Sequence, residues 1–296
     1  MKQRIEWLLY ALLGRDIADK LTVSLLVSKR DKELSQIIAS NRRFFNTHCG
    51  ERCFILGNGP SLKQVDLNLL KNEFVFTVNN FSLVDGFEKA RPNVHLWADY
   101  SFYEMREDQK YNHDELMDNY RKMALLSPIC FMVDVAYGFV KKNNLDKILD
   151  INYFSVTGSI DTKKRNQFDL SKAISAYTTV VQYAVSIAIY MGFKEIYLLG
   201  CDTTNIISLI NSAMDIRSEN MHAYKNDDVN ERYKELLNHW SMSDAFYDQY
   251  VLFEGFKTLK SECDKRGISL VNCSAKTLIN ELPRDTLSNV LRNSNA

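Results

Sequence analysis

The sequence predicts an α/β fold, a mostly parallel sheet with helices on both faces, and two observations carry that prediction. From residue 52 onward, short apolar runs alternate with longer stretches whose apolar residues recur at helical spacing, and parallel strands need a helical crossover between them. Only 11 Gly and 4 Pro occur in 296 residues, too few for the many tight turns of a sandwich of short strands.

The first 48 residues read as an N-terminal helical extension. Ile5, Leu8, Leu9, Leu12 and Leu13 share one helical face, Leu21, Leu25 and Leu26 follow, and 34–45 continues the pattern. Trp7 and Tyr10 lie beside the leucines, with Lys2, Arg4 and Arg15 at the ends. That pattern fits a helix packed on its own domain or on a second copy of the chain, with a helix resting at a membrane surface as the alternative.

Residues 49–296 read as one α/β domain. Strands are expected at 52–56 (RCFIL), 74–78 (FVFTV), 94–98 (VHLWA), 129–133 (ICFMV), 195–199 (EIYLL) and 268–271 (ISLV), each a continuous apolar run of the kind buried on both faces. Helices are expected at 61–70, at 101–123 with its many charges, at 171–191 with Ala, Val and Ile along it, at 243–266 and at 275–282. The segment 202–240 breaks the rhythm: it is polar, holds Asn205, Asn211, Asn220, Asn226 and Asn230, and has no strand pattern. An insertion of that length directly after a strand reads as a lid, about 203–240.

Composition narrows the function. Lys+Arg and Asp+Glu balance at 37 each, so no bulk field favours nucleic acid, and a nucleic-acid partner is not expected. The six cysteines include no C-x-x-C pair, and Cys53 sits inside Cys53-Phe54-Ile55-Leu56, where a free thiol packs as a small hydrophobe. No secretory pattern opens the sequence, and no apolar run reaches the roughly 18 residues of a spanning helix. The expected location is the cytoplasm, with peripheral attachment to the inner membrane face as the alternative use of the first helix.

The sharpest chemical feature is Gly57-Asn58-Gly59-Pro60-Ser61-Leu62, between the first strand and the segment after it. Glycines there let a backbone approach a ligand, and Pro60 and Ser61 suit the first turn of a helix whose free N–H groups favour phosphate. A nucleotide at the strand's carboxyl end is the inference, although Leu62 replaces the third glycine of G-x-G-x-x-G and no Lys-Ser/Thr pair follows. Asn79 and Asn80, Asp99, and Asp202 end later strands and should converge on this loop, or each could cap a helix. Thr178 and Thr179 could contact the ligand or open their helix. His222 in the lid is a candidate general base, the alternative being a packing histidine. After the third strand stands Asp99-Tyr100-Ser101 in place of a D-x-D triplet, and Asp227-Asp228 is isolated, so neither a metal nor another cofactor is expected.

The stretches 54–63 (FILGNGPSLK), 78–81 (VNNF) and 188–202 (AIYMGFKEIYLLGCD) resemble the bacterial sialyltransferases typified by the Campylobacter lipooligosaccharide enzymes, over roughly 52–282 and in the same order. The resemblance implies a Rossmann-like, metal-independent, inverting glycosyltransferase that binds a CMP-activated sugar and extends a bacterial surface glycan or lipid-linked glycan. It implies that Asn58 and Asn79 contact the nucleotide, that Thr178 and Thr179 lie near the phosphate or sugar, and that His222 matches the lid's catalytic histidine; Asp202 is the second candidate catalytic residue. The sequence departs from that family at Ala176, where an Arg is usual, and at Thr204, where a Tyr is usual. The G-x-G-P-S-L loop is also similar to that of archaeal pterin diphosphokinases, which implies diphosphate transfer from ATP as an alternative. A non-catalytic nucleotide-binding protein is the third.

Overall fold

The computed structural model describes residues 31–103, 113–158, 167–214, 216, 222–224 and 241–293. The expected helices over residues 1–30 and the pair Asp227-Asp228 lie outside the described residues, as does most of the lid.

The chain enters through helix α1 (Lys32–Ser40), capped by Asp31, whose carboxylate accepts the N–H groups of Glu33 and Leu34. Its spacing buries Leu34 and Ile38, each contributing about 1.5–3 kcal/mol of apolar transfer. A short 3-10 turn (Asn41–Phe44) follows, so the helical reading of 34–45 holds only to residue 40. Asn41 is fully buried and its Nδ2 donates to Tyr153 O at 2.7 Å and Leu170 O at 3.1 Å. These contacts join residues 32–44 to the core of the main domain.

Strands β1 (Arg52–Leu56), β2 (Phe74–Val78), β3 (Val94–Trp97), β4 (Ile129–Val133) and β5 (Asp150–Phe154) run in sequence across a parallel sheet. Helices α2 (His113–Ala124) and α3 (Tyr137–Lys142) flank β4. A small second sheet holds β6 (Val156–Thr157), β7 (Phe168–Asp169) and β8 (Ala173–Ser175). Helix α4 (Val180–Met191) then leads to β9 (Glu195–Leu199), α5 (Asn205–Ala213), α6 (Met242–Lys265), β10 (Ser269–Asn272) and α7 (Leu287–Asn293). The main sheet has the order β10-β9-β1-β2-β3-β4-β5. Consecutive residues Cys53, Phe54, Ile55 and Leu56 are all fully buried, which requires cover on both faces of the sheet because successive side chains point to opposite sides. The fold is therefore the expected Rossmann-like α/β architecture.

Several elements differ from expectation. The helix expected at 61–70 is two 3-10 turns, Pro60–Gln64 and Leu67–Leu70. The helix expected from 171 starts only at Val180, because 173–175 pair in the small sheet. Residues 275–282 form no helix: Thr277 Oγ1 donates to Cys201 O at 2.7 Å and the Leu278 N–H to Asp202 O at 3.0 Å, holding this segment against the end of β9. The segment expected as a lid opens with a regular helix, α5. No helix of the described residues is long and apolar enough to cross a membrane.

Candidate functional site

Chain progression reverses at β1, which pairs with β2 on one side and β9 on the other. In an open parallel sheet such a switch point leaves a crevice at the strands' carboxyl ends. A cavity of ≈ 680 Å³ lies there. Of the residues singled out in the sequence, Gly57, Asn58, Gly59, Asn79, Asn80, Asp99, Thr178, Thr179, Asp202 and His222 line it, and Pro60 and Ser61 do not.

The β1 loop is tied to β9. The Gly57 N–H donates to Leu199 O at 2.8 Å, the Gly59 N–H to Gly200 O at 2.8 Å, and the Leu62 N–H to Gly59 O at 3.0 Å. The Ser61 N–H donates to Asp202 Oδ2 at 2.7 Å, and the Ser61 hydroxyl donates to Asp202 Oδ1. A Cβ on Gly57 would meet Gly200 O at 2.5 Å, and one on Gly59 would meet Asp202 Cγ at 2.6 Å. The glycines are thus required where two loops touch each other. This corrects the expected phosphate cradle: the N–H groups at 57, 59, 61 and 62 are already donated, Pro60 has none, and a buried carboxylate takes the place an anion would occupy. Burial pushes the Asp202 carboxyl above the usual range, and the two Ser61 bonds and nearby Lys276 offset part of that rise.

Asn58 and Asn79 present amide oxygens. Asn58 Nδ2 donates to Val78 O at 2.9 Å, while its Oδ1 is buried without a partner, as is Oδ1 of Asn79. Buried acceptors left open in this way are unusual, and both residues line the cavity. Asn79 has φ 48° and Thr203 has φ 54°. Left-handed backbone is tolerable for Asn and costly for a β-branched residue, and such strain concentrates at binding sites. Both lie on the cavity wall.

His222 is brought to this wall by its neighbour: the Ala223 N–H donates to Asn58 O at 2.8 Å. The His222 ring stacks on Tyr224, with centroids 4.7 Å apart and planes 5° apart. Asn80 Nδ2 donates to Tyr224 Oη at 3.3 Å, Asn119 Nδ2 donates to Asn80 Oδ1 at 2.5 Å, and the Ser82 hydroxyl donates to Asn119 Oδ1. A buried polar chain from α2 therefore anchors residues 222–224.

Two helices begin at the cavity. Thr179 caps α4 in a reciprocal box with Gln182, whose Oε1 also accepts the Thr178 hydroxyl at 3.1 Å. Val180 and Val181, in the first turn whose N–H groups have no intrahelical acceptor, line the cavity, as do Thr204 and Asn205 at the start of α5. Gln249 on α6 is 8% exposed with its Oε1 buried and unpartnered. Asp99 accepts the Ser101 N–H at 2.9 Å and the Ser101 hydroxyl at 2.7 Å, capping a 3-10 turn. Among the described lining residues, Asp99, Asp202 and Asp248 carry negative charge and none is Lys or Arg. Among the described residues, no three His, Cys, Asp or Glu side chains are grouped to hold a metal ion.

Sequence reasoning missed Tyr177, Tyr183, Tyr224 and Gln249 as wall residues. The available signal was Thr179-x-x-Gln182, which marks a helix start at the cavity edge.

Fold and site together define an α/β protein with a cavity of mixed polar and apolar lining at a topological switch point. No family model matches the chain, and no curated protein matches it. Among solved structures it is similar to the sialyltransferase CstII from Campylobacter jejuni, a structure in complex with the substrate analogue cytidine-5'-monophosphate. That similarity has a TM-score of 0.38 and 16% identity, over 80% of this chain and 85% of the other, too loose a likeness to assign any residue a role.

Proposed function

We propose that this chain is an inverting, metal-independent glycosyltransferase that moves a sugar from a CMP-linked donor to a hydroxyl of a bacterial surface glycan or lipid-linked glycan. The observation that carries the reading is the Ala223–Asn58 backbone bond, which puts His222 on the same wall as the open amide oxygens of Asn58 and Asn79. Those oxygens suit the amino hydrogens of a nucleobase. The first turns of α4 and α5 offer N–H donors, and Thr179 a hydroxyl, to the donor's phosphate without a cationic side chain, and Thr178, whose N–H and hydroxyl are held by Gln182, shapes that edge of the cavity.

In the reaction, the acceptor oxygen bonds to the anomeric carbon as the bond from that carbon to the phosphate oxygen breaks. His222 takes the acceptor's proton, and CMP leaves with the electron pair. Asp202 acts as a positioning residue, since both of its oxygens hold Ser61. Peripheral contact of residues 1–30 with the cytoplasmic membrane face, and self-association, belong to the same proposal. Diphosphate transfer from ATP would need carboxylates free to hold magnesium, and Asp99 and Asp202 are engaged by Ser101 and Ser61.

The test is CMP release from CMP-sugars in the presence of glycan acceptors. His222→Ala should lower kcat by at least about 100-fold while CMP affinity stays within a few-fold. Equal turnover by the variant would remove His222 from the chemistry.

A further inference from the structure

A second cavity, of ≈ 790 Å³, lies among residues at the other end of the fold and differs from the first in charge. It is walled by Arg42 and Phe45 ahead of β1, Lys172 between β7 and β8, Tyr190 at the end of α4, and Arg266 just after α6. These segments adjoin the amino ends of β1, β9 and β10, whereas the first cavity lies at the carboxyl ends. The lining holds three cations and one carboxylate, Asp169.

The cations are only partly neutralised. Lys172 Nζ lies 2.9 Å from Asp169 Oδ2, and Arg266 Nη2 lies 3.5 Å from Glu262 Oε2. Arg42 is exposed and makes no ion pair with a described residue. The carbonyl end of α4, which would repel an anion, is covered: Tyr190 O accepts the Asn46 N–H at 3.1 Å and Met191 O accepts the His48 N–H at 2.8 Å. Two aromatic surfaces complete the wall. Phe45 is 59% exposed and packs on Tyr190 with centroids 5.3 Å apart, and the Arg266 guanidinium lies 4.9 Å from the centroid of Phe168.

Guanidinium and ammonium groups on the wall of a concavity favour an oxyanion, with arginine matching phosphate geometry, and the exposed aromatic face adds a place for an apolar group. We infer that this cavity binds a phosphate ester carrying an apolar or aromatic substituent, either a soluble one or the head group of an anionic phospholipid. The site does not depend on the glycosyl-transfer reading, since it shares no residue with the first cavity.

The experiment uses the full chain and the double variant Arg42→Glu/Lys172→Glu, whose two side chains are exposed, with far-UV circular dichroism to check folding. One arm titrates phenyl phosphate and inorganic phosphate and follows the melting temperature; the other measures flotation with vesicles of phosphatidylcholine alone and with phosphatidylglycerol added. The wild type should be stabilised by phenyl phosphate, or should float with the anionic vesicles and not the neutral ones. Either response should fall at least about tenfold in the folded double variant and weaken as salt rises. The first result assigns a soluble ligand and the second a lipid head group. No response in either arm, or a response that the folded variant retains in full, overturns the inference. Should the double variant fail to fold, Arg42→Glu alone serves the same comparison.

Discussion

The carboxylate of Asp202 accepts the backbone N–H of Ser61 at 2.7 Å across 141 positions of sequence, and accepts the Ser61 hydroxyl as well. This pair closes the switch point of the sheet. It turns what looks like a phosphate loop into a fixed wall, and Asn58, Asn79 and the starts of α4 and α5 are polar groups that remain on the cavity lining.

Removing either partner strands a buried group. Asp202→Asn and Ser61→Ala should each cost about 1–3 kcal/mol in urea unfolding, and the double variant should cost clearly less than the sum, since one interaction is lost in both. Additive losses would show that the two side chains act independently.

Gly59→Ala tests the contact of the two loops. Its Cβ would fall 2.6 Å from Asp202 Cγ and 2.7 Å from Gly200 O, and neither atom is the end of a flexible chain. The substitution should destabilise by about 1–3 kcal/mol and weaken nucleotide binding with it. A melting temperature equal to wild type would contradict this packing.

Acid should unfold the protein in part through His95. Burial pushes this histidine from 6.5 down to about 3, with Nδ1 held 2.7 Å from Thr77 Oγ1. The unfolded chain binds a proton as pH falls through 6.5 while the folded chain does not, so the stability present above 6.5 is lost below it. From this one group the loss is ~1.4 kcal/mol per pH unit down to the folded value. Urea titrations at about pH 7 and about pH 5 should differ by roughly 2 kcal/mol from this source, and His95→Gln should flatten that slope. An unchanged slope in a folded variant would show that His95 protonates in the native state.

Asn79→Gly separates strain from recognition. Glycine accepts φ 48° without cost, so stability should stay within about 1 kcal/mol of wild type. Loss of the open amide oxygen should weaken nucleotide binding about tenfold. Binding at wild-type strength would leave that oxygen without a role in recognition.

Strands with continuous apolar runs were legible in the sequence, as RCFIL, ICFMV and EIYLL show. β5 was not, because Asp150 and Asn152 interrupt its run; Asn152 serves tertiary bonding, with its Oδ1 accepting from Arg43 at 2.7 Å. At 275–282 the apolar spacing of Ile279 and Leu282 is real, and both are buried, yet the bonds from Thr277 and Leu278 to the end of β9 override helix formation. Convergence of Asn58, Asn79, Asp99 and Asp202 followed from their places at strand ends. The engagement of the Gly57 loop did not, since a glycine needed against protein and one needed against a ligand look alike in sequence.

The glycosyl-transfer proposal stands or falls on CMP recognition at the switch-point cavity. Isothermal titration with CMP, UDP, GDP and ATP, each with and without magnesium, tests it most directly. CMP should bind in preference to the others, unchanged by magnesium and weakened in Asn79→Gly. Binding of ATP only with magnesium, with CMP inert, would contradict it.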